Sequence, residues 1–181
     1  MKTFVECVPC LTRQGYKALS LSTDDEKILK EGMKEVLKIL IDLDYSLSPP
    51  QMATKMYRFI YDFTGNTDPF KEIKRKSNEM ALKLYPSLRK EIMELEDSCV
   101  GAVKLATMAN IIDWGPKHSI DEQEVIRDLK GALDIPCDQE ALYAFKKAVA
   151  KANSILYIAD NAGEIVFDKL LIELLGSSTV S

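Results

Sequence analysis

The spacing of the apolar residues is the feature that most constrains the fold of this chain. From about residue 24 to residue 152 they recur at steps of three and four, as Met33, Val36 and Leu40 illustrate. That is the period of one face of an α-helix. The pattern predicts helices over about 24–43, from 49, over 68–86 and 87–95, through 99–110, and from 138. The first 152 residues are therefore predicted to be almost entirely helical.

The predicted helix starts carry residues that can cap the first turn. Thr23, Ser48 and Asp138 each precede an apolar pattern, and their side chains can accept hydrogen bonds from otherwise unpaired backbone amides. Asp68 opens another helix, and Pro86 is predicted to end it because proline breaks the backbone hydrogen-bond ladder.

The pattern changes at residues 155–159, where Ile-Leu-Tyr-Ile-Ala forms a short, continuous apolar run. Such a run is typical of a strand buried on both faces. A further helix is predicted after it. The sequence thus predicts a mainly α N-terminal helical region, residues 1–152, leading into the start of an α/β domain at 153–181 with one strand and one helix. Because a lone strand leaves its amides and carbonyls unpaired, a truncated α/β domain and self-association through the unpaired strand are expected.

Composition and charge exclude several classes of protein. With 46% hydrophobic and 29% charged residues, the chain is expected to be globular and not disordered. The net charge of −4 and the mixing of acidic and basic residues argue against nucleic-acid binding. No apolar stretch approaches the roughly 20 residues of a membrane span. The N-terminus lacks the apolar core of a signal peptide, so a cytoplasmic location is expected.

The residues after the apolar run are the strongest candidates for chemistry. Asp160 and Asn161 offer a carboxylate and an amide oxygen, ligands that suit Mg²⁺ or Mn²⁺. Gly163 begins the next helix, where free backbone amides suit a phosphate. The same residues are also common helix caps, so spacing alone leaves a metal site and a simple cap as alternatives.

Four separated segments resemble the damage-control phosphatases, also known as domain of unknown function 89, and in particular their subfamily with an N-terminal CxxC. The segments are CVPCLTRQ at 7–14, FTGNTDPFKEIKRKSNEMAL at 63–82, ANIIDWG at 109–115 and LYIADNAGEIVFDKLLIELL at 156–175. The resemblance implies a helical region followed by an α/β domain, and hydrolysis of small phosphorylated metabolites that depends on a divalent metal such as Mg²⁺ or Mn²⁺.

The resemblance also implies roles for single residues. In the family the Asp and Asn of the DNAGE motif are metal ligands, which assigns that role to Asp160 and Asn161. The family's further Asp ligand and basic phosphate-binding residue lie downstream of the matched segments, so low activity of this chain alone is expected. Asn110 and Asp113, in the third matched segment, are predicted to line the substrate pocket.

The roles of the remaining candidates stay open. Asn110 and Asp113 can also serve as a helix cap and a solvated turn residue. Glu164 is predicted to contact substrate or a water, or only to complement the dipole of its helix. Cys7 and Cys10 are predicted as half of a metal site or as a redox pair. The rivals to a metal-dependent phosphatase are thus a non-catalytic helical binding module and a thiol-based metal or redox protein.

Overall fold

The computed structural model describes residues 2–42, 44–111 and 122–176. These form eight α-helices and a 3-10 turn, Ala132–Asp134, after the sixth. The helices are α1 (Cys7–Ser22), α2 (Glu26–Ile41), α3 (Pro49–Thr64), α4 (Lys71–Met93), α5 (Ser98–Ile111), α6 (Glu122–Gly131), α7 (Gln139–Lys151) and α8 (Glu164–Leu175). None of the described helices is long and apolar enough to cross a membrane.

The chain divides into two compact units, Met1–Glu72 and Ile73–Ser181. The first contains α1, α2 and α3, whose apolar faces meet in one core of Leu11, Ala18, Leu19, Val36, Leu40, Met52, Met56 and Ile60. Gly15 permits the close approach of these helices, because a Cβ atom there would lie 2.7 Å from Val36 Cγ1 and 2.9 Å from Met56 Sδ. The predicted division at residue 152 remains a prediction.

The second unit is built around α5, which packs along α8 and also contacts α6. Small buried residues on α5, Ala102, Ala106 and Ala109, allow this close packing. Phe167 on α8 is completely buried in the same core. The other core residues are Ala81, Leu84, Leu88, Ile92, Leu105, Val125, Leu129, Val166, Leu170 and Leu171.

Two of the predicted helix caps are confirmed and one is wrong. The Ser48 amide donates a hydrogen bond to Gln51 Oε1 at 2.9 Å, completing a capping box. The Asp138 carboxylate accepts hydrogen bonds from two amides of the first turn of α7. The cap of α2 is Asp25 and not Thr23, because the Asp25 carboxylate is the group that accepts from the first-turn amides.

Pro86 does not end a helix, contrary to the sequence prediction. It lies inside α4, which continues from Lys71 to Met93. Leu84, Leu88 and Ile92 are buried along one face on both sides of the proline. Burial of this continuous face offsets the roughly 3 kcal/mol that proline costs within a helix.

The apolar run 155–159 does not form the predicted strand. Only Ile155 makes an isolated bridge, and Leu156 and Ile158 are 78% and 85% exposed, so the run is not buried on both faces. A strand needs neighbouring strands to pair its amides and carbonyls. No strand is present in the ranges 2–42, 44–111 and 122–176. The described chain is all-helical, and the predicted start of an α/β domain is wrong.

Candidate functional site

The 160–163 loop joins the apolar run 155–159 to α8 in the second unit. The side chains of Asp160 and Asn161 are exposed, whereas Gly163 is buried and has a φ of 87°. That left-handed backbone favours glycine, because a Cβ atom would be strained there. The glycine thus turns the chain into α8 and leaves the two predicted metal ligands at the surface.

Glu164 is the polar centre of this site. It is only 6% exposed, and its carboxylate accepts hydrogen bonds from two different elements. Asn110 Nδ2, on α5, donates to Glu164 Oε1 at 2.8 Å. The backbone N and the side-chain Nδ2 of Asn161 both lie 3.3 Å from Glu164 Oε2. Glu164 therefore connects the predicted pocket residue Asn110 to the predicted metal ligand Asn161.

These hydrogen bonds fix which end of the Asn161 amide is available to a ligand. Because Nδ2 donates to Glu164, the oxygen Oδ1 is the end left for a cation. An amide oxygen beside the Asp160 carboxylate is a donor set that Mg²⁺ and Mn²⁺ accept. The two residues fit a divalent cation in the type of their donor atoms.

Two backbone amides near the start of α8 are less available to a phosphate than the sequence suggested. The Gly163 amide donates to Asn78 Oδ1, on α4, at 2.7 Å. The Asn161 amide donates to Glu164 Oε2. These two amides already have acceptors within the protein, and the phosphate contact at the start of α8 stays a prediction.

A second polar contact joins the apolar run 155–159 to α8. Tyr157 OH donates to Asp168 Oδ1 at 2.8 Å, and Asp168 is only 3% exposed. Burial raises the pKa of Asp168, the hydrogen bond from Tyr157 lowers it, and the charges of Glu164 and Asp160 raise it. Burial and the hydrogen bond to Asp168 also raise the pKa of Tyr157.

We expect Tyr157→Phe to destabilise the second unit more at neutral than at acidic pH. The hydroxyl stabilises the ionised form of Asp168, so its contribution is present above the pKa of Asp168 and is lost as the pH falls through it. Leaving a buried carboxylate oxygen without its donor costs about 1–3 kcal/mol at neutral pH. Urea unfolding of the wild-type and Tyr157→Phe chains at acidic and at neutral pH measures the difference in their free energies of unfolding.

Tyr143→Phe is the matched control, because Tyr143 is 67% exposed. Its effect is expected to stay within about 0.5 kcal/mol at every pH. A cost of Tyr157→Phe that is the same at acidic and neutral pH would contradict the assigned interaction.

Asp160, Glu164 and Asp168 give the site three acidic side chains. Among the residues that the structure describes, no lysine or arginine forms an ion pair with Asp160, Glu164 or Asp168. Burial raises the pKa of Asp168, and the charges of Glu164 and Asp160 add to this by repelling its ionised carboxylate. A bound cation would relieve this repulsion. Within the described ranges, however, no three His, Cys, Asp or Glu side chains converge to hold a metal by themselves.

Comparison with known proteins places the chain in a family. The family model described as "Damage-control phosphatase ARMT1-like domain" matches residues 3–181. The chain belongs to this family. The resemblance found in the four sequence segments is thereby confirmed, whereas membership of the CxxC subfamily stays a prediction.

Curated relatives from archaea support the family assignment. The chain is 36% identical over 174 residues to an uncharacterised protein of Methanocaldococcus jannaschii, covering 93% of this chain and 56% of that protein. It is 35% identical over 176 residues to a damage-control phosphatase of Pyrococcus horikoshii, covering 96% and 59%. A damage-control phosphatase of Archaeoglobus fulgidus is 35% identical over 180 residues, with 96% and 60% covered. The chain spans about three fifths of the length of these relatives.

A solved structure has the same fold. The crystal structure of a DUF89 family protein from Pyrococcus horikoshii matches with a TM-score of 0.84 and 30% sequence identity. The match covers 99% of this chain and 63% of that chain. The helical arrangement described above is therefore shared with a member of the family.

The structure brings together some of the predicted site residues of this damage-control phosphatase family member. Asp160, Asn161, Glu164 and Asn110 lie in one site. Asp113 lies outside the described residues.

The predicted thiol pair lies in the first unit. Cys7 and Cys10 are free thiols in the first turn of α1. Cys7 Sγ accepts a hydrogen bond from the Phe4 amide, and Cys10 Sγ accepts one from Gln14 Nε2, both at 3.4 Å. The thiol role of this pair stays a prediction.

Sequence reasoning missed Asn78, Tyr157 and Asp168. All three fall within segments that carry the family resemblance, 63–82 and 156–175. Their position in these segments was the available signal, although it does not show which residues contact one another. Asn78 lies 85 residues before its partner Gly163, a separation that no local pattern reveals.

Proposed function

We propose that the chain acts in the divalent-metal-dependent hydrolysis of small phosphorylated metabolites, such as sugar phosphates. The observation that supports this most strongly is the hydrogen bond from Asn161 Nδ2 to the buried Glu164 carboxylate. It leaves the amide oxygen of Asn161 available for a cation, and the neighbouring residue Asp160 carries an exposed carboxylate. The curated relatives that are named damage-control phosphatases support the same reaction class.

In this proposal each residue has a defined role. Asp160 and Asn161 hold the cation, which supplies Lewis-acid polarisation of a phosphate oxygen when bound. Glu164 orients Asn161 and holds Asn110 beside the same site. Asn110, Asp113 and Glu164 were predicted as substrate-pocket residues, and of these we assign the contact with substrate to Asn110 and Asp113. Two protein ligands leave most of an octahedral shell to water, so weak metal binding is expected.

The experiment that tests the proposal follows Mn²⁺ binding by NMR. Paramagnetic Mn²⁺ broadens the amide signals of residues close to it. The signals of the 160–163 loop are expected to broaden at lower Mn²⁺ concentrations than those of the first unit.

A thiol function at Cys7 and Cys10 is a second candidate. It is favoured by the position of both sulfur atoms in the first turn of α1, where each accepts a hydrogen bond. Their spacing of three residues within α1 also places both side chains on one face of the helix. No third His, Cys, Asp or Glu completes a metal site with them among the described residues, so a redox pair is the better-supported form of this candidate.

A further inference from the structure

Asn78 is attached to the 160–163 loop through the backbone. Its Oδ1 atom accepts a hydrogen bond from the Gly163 amide at 2.7 Å, across a sequence separation of 85 residues. Gly163 is buried, and its amide belongs to the start of α8, where the helix itself provides no acceptor. Asn78 therefore supplies the hydrogen-bond acceptor that this buried amide needs.

The helix that carries Asn78 is well fixed at this position. Ser77 and Ala81, on either side of it in α4, are 2% and 0% exposed. Ser77 Oγ also donates to the Ile73 carbonyl at 2.9 Å, within the same helix. A side chain on a buried stretch of helix is a more rigid support than one on a loop. The position of Asn78 Oδ1 is thus set by the packing of the second unit.

Asn78 and Glu164 hold the loop at two different points. Glu164 binds the backbone and side chain of Asn161, and Asn78 binds the peptide group that joins Ala162 to Gly163. Rotation of that peptide would move Asn161 and Glu164 relative to each other, because it lies between them in the chain. The bond from Gly163 to Asn78 resists this rotation.

We propose that Asn78 is a positioning residue of the metal-binding loop, which acts through the Gly163 amide on the geometry of Asp160 and Asn161. This inference rests on the proposed metal-binding function of the loop. Asn78 does not ligate the cation in this account. Residues that orient ligands in this way typically change metal affinity by about 10–100-fold when they are removed.

The experiment compares Mn²⁺ affinity, measured by electron paramagnetic resonance, in the wild-type chain and three variants. Asn78→Ala removes the acceptor and is expected to weaken Mn²⁺ binding by about tenfold. Asn78→Asp keeps an oxygen acceptor at the same place and is expected to restore affinity close to the wild-type value. Asn153→Ala is the control, because Asn153 is exposed in the same unit and is expected to bind Mn²⁺ as the wild type does.

Hydrogen exchange of the Gly163 amide gives a readout that does not depend on metal. Exchange is expected to be faster in Asn78→Ala than in the wild type and to be slowed again in Asn78→Asp. Faster exchange and weaker Mn²⁺ binding in Asn78→Ala, with both restored in Asn78→Asp, support the positioning role. A general loss of stability would not produce this combination.

The outcomes that overturn the inference are distinct from failure of the proposed function. If the wild-type chain binds Mn²⁺ and Asn78→Ala binds it with the same affinity, the positioning role of Asn78 is overturned while the metal site stands. Equal loss of affinity and of thermal stability in both Asn78 variants would show that the residue is only structural. No Mn²⁺ binding by the wild type would contradict the metal site itself, and the positioning role with it.

Discussion

Asp160→Ala is expected to lower the Mn²⁺ affinity of the chain on the order of 100-fold, because the carboxylate supplies the charge at the site that a hard cation requires. Asp160 is exposed, and among the described residues its side chain makes no hydrogen bond, so stability is expected to change by about 0.5 kcal/mol or less. Any metal-stimulated release of phosphate from a sugar phosphate should fall with the affinity. Electron paramagnetic resonance of free Mn²⁺ measures the binding.

Asp62→Ala is the matched control for charge. Asp62 is an exposed carboxylate on α3, in the first unit, and its removal changes the net charge of the chain by the same amount. We expect Mn²⁺ affinity to stay at the wild-type value. An equal loss in both variants would show that Mn²⁺ responds only to overall charge, and would remove the support for Asp160 as a ligand.

Glu164→Ala is expected to weaken Mn²⁺ binding by about 10–100-fold while changing stability little. The substitution removes the acceptor that orients Asn161, so the amide is free to rotate. Asn161 and Asn110 are both exposed, so water can replace the lost acceptor. The free energy of unfolding is therefore expected to fall by only about 1 kcal/mol. Loss of a buried negative charge also brings the pKa of Asp168 closer to its usual range, which opposes that cost.

Glu164→Gln separates orientation from charge. Glutamine keeps one side-chain oxygen as an acceptor but places an NH₂ group where the second oxygen was, so it can serve Asn110 or Asn161 but not both. Intermediate Mn²⁺ affinity is expected. Wild-type affinity in Glu164→Ala would contradict the orienting role, whereas unfolding of the second unit in both variants would show that Glu164 supports the fold and not the loop.

Helices such as α3 were predictable because they repeat a local pattern. The spacing of Met52, Met56 and Ile60 reports one buried face of α3, and Ser48 marks its start within a few residues. Pro86 misled the prediction because its cost is local, whereas the burial that offsets it comes from the core along α4. Local rules work where the local and tertiary preferences agree.

The strand prediction failed for a related reason. The run 155–159 has the composition of a buried strand, but composition does not supply the neighbouring strands that such a segment needs. Its exposed residues Leu156 and Ile158 show the consequence. The expected self-association through this segment stays a prediction, without the strand on which it was based.

The candidate site was only partly predictable. Asp160 and Asn161 are adjacent in sequence and belong to a recognisable motif, so they could be selected in advance. The residues that orient them come from α4, α5 and α8. Asn110 lies 54 residues from its partner Glu164, and Asn78 lies 85 residues from its partner Gly163. Only the packing of the second unit brings these groups together, and no periodic pattern encodes it.

The most direct test of the central claim is the Mn²⁺ titration of the ¹⁵N-labelled chain, followed by NMR. If the 160–163 loop binds the cation, the amide signals of Asn161, Ala162 and Gly163 broaden first. Signals from the core of the first unit, such as those of Ala18 and Val36, stay sharp at the same Mn²⁺ concentration. Uniform broadening, or broadening centred on Cys7 and Cys10, would contradict the account.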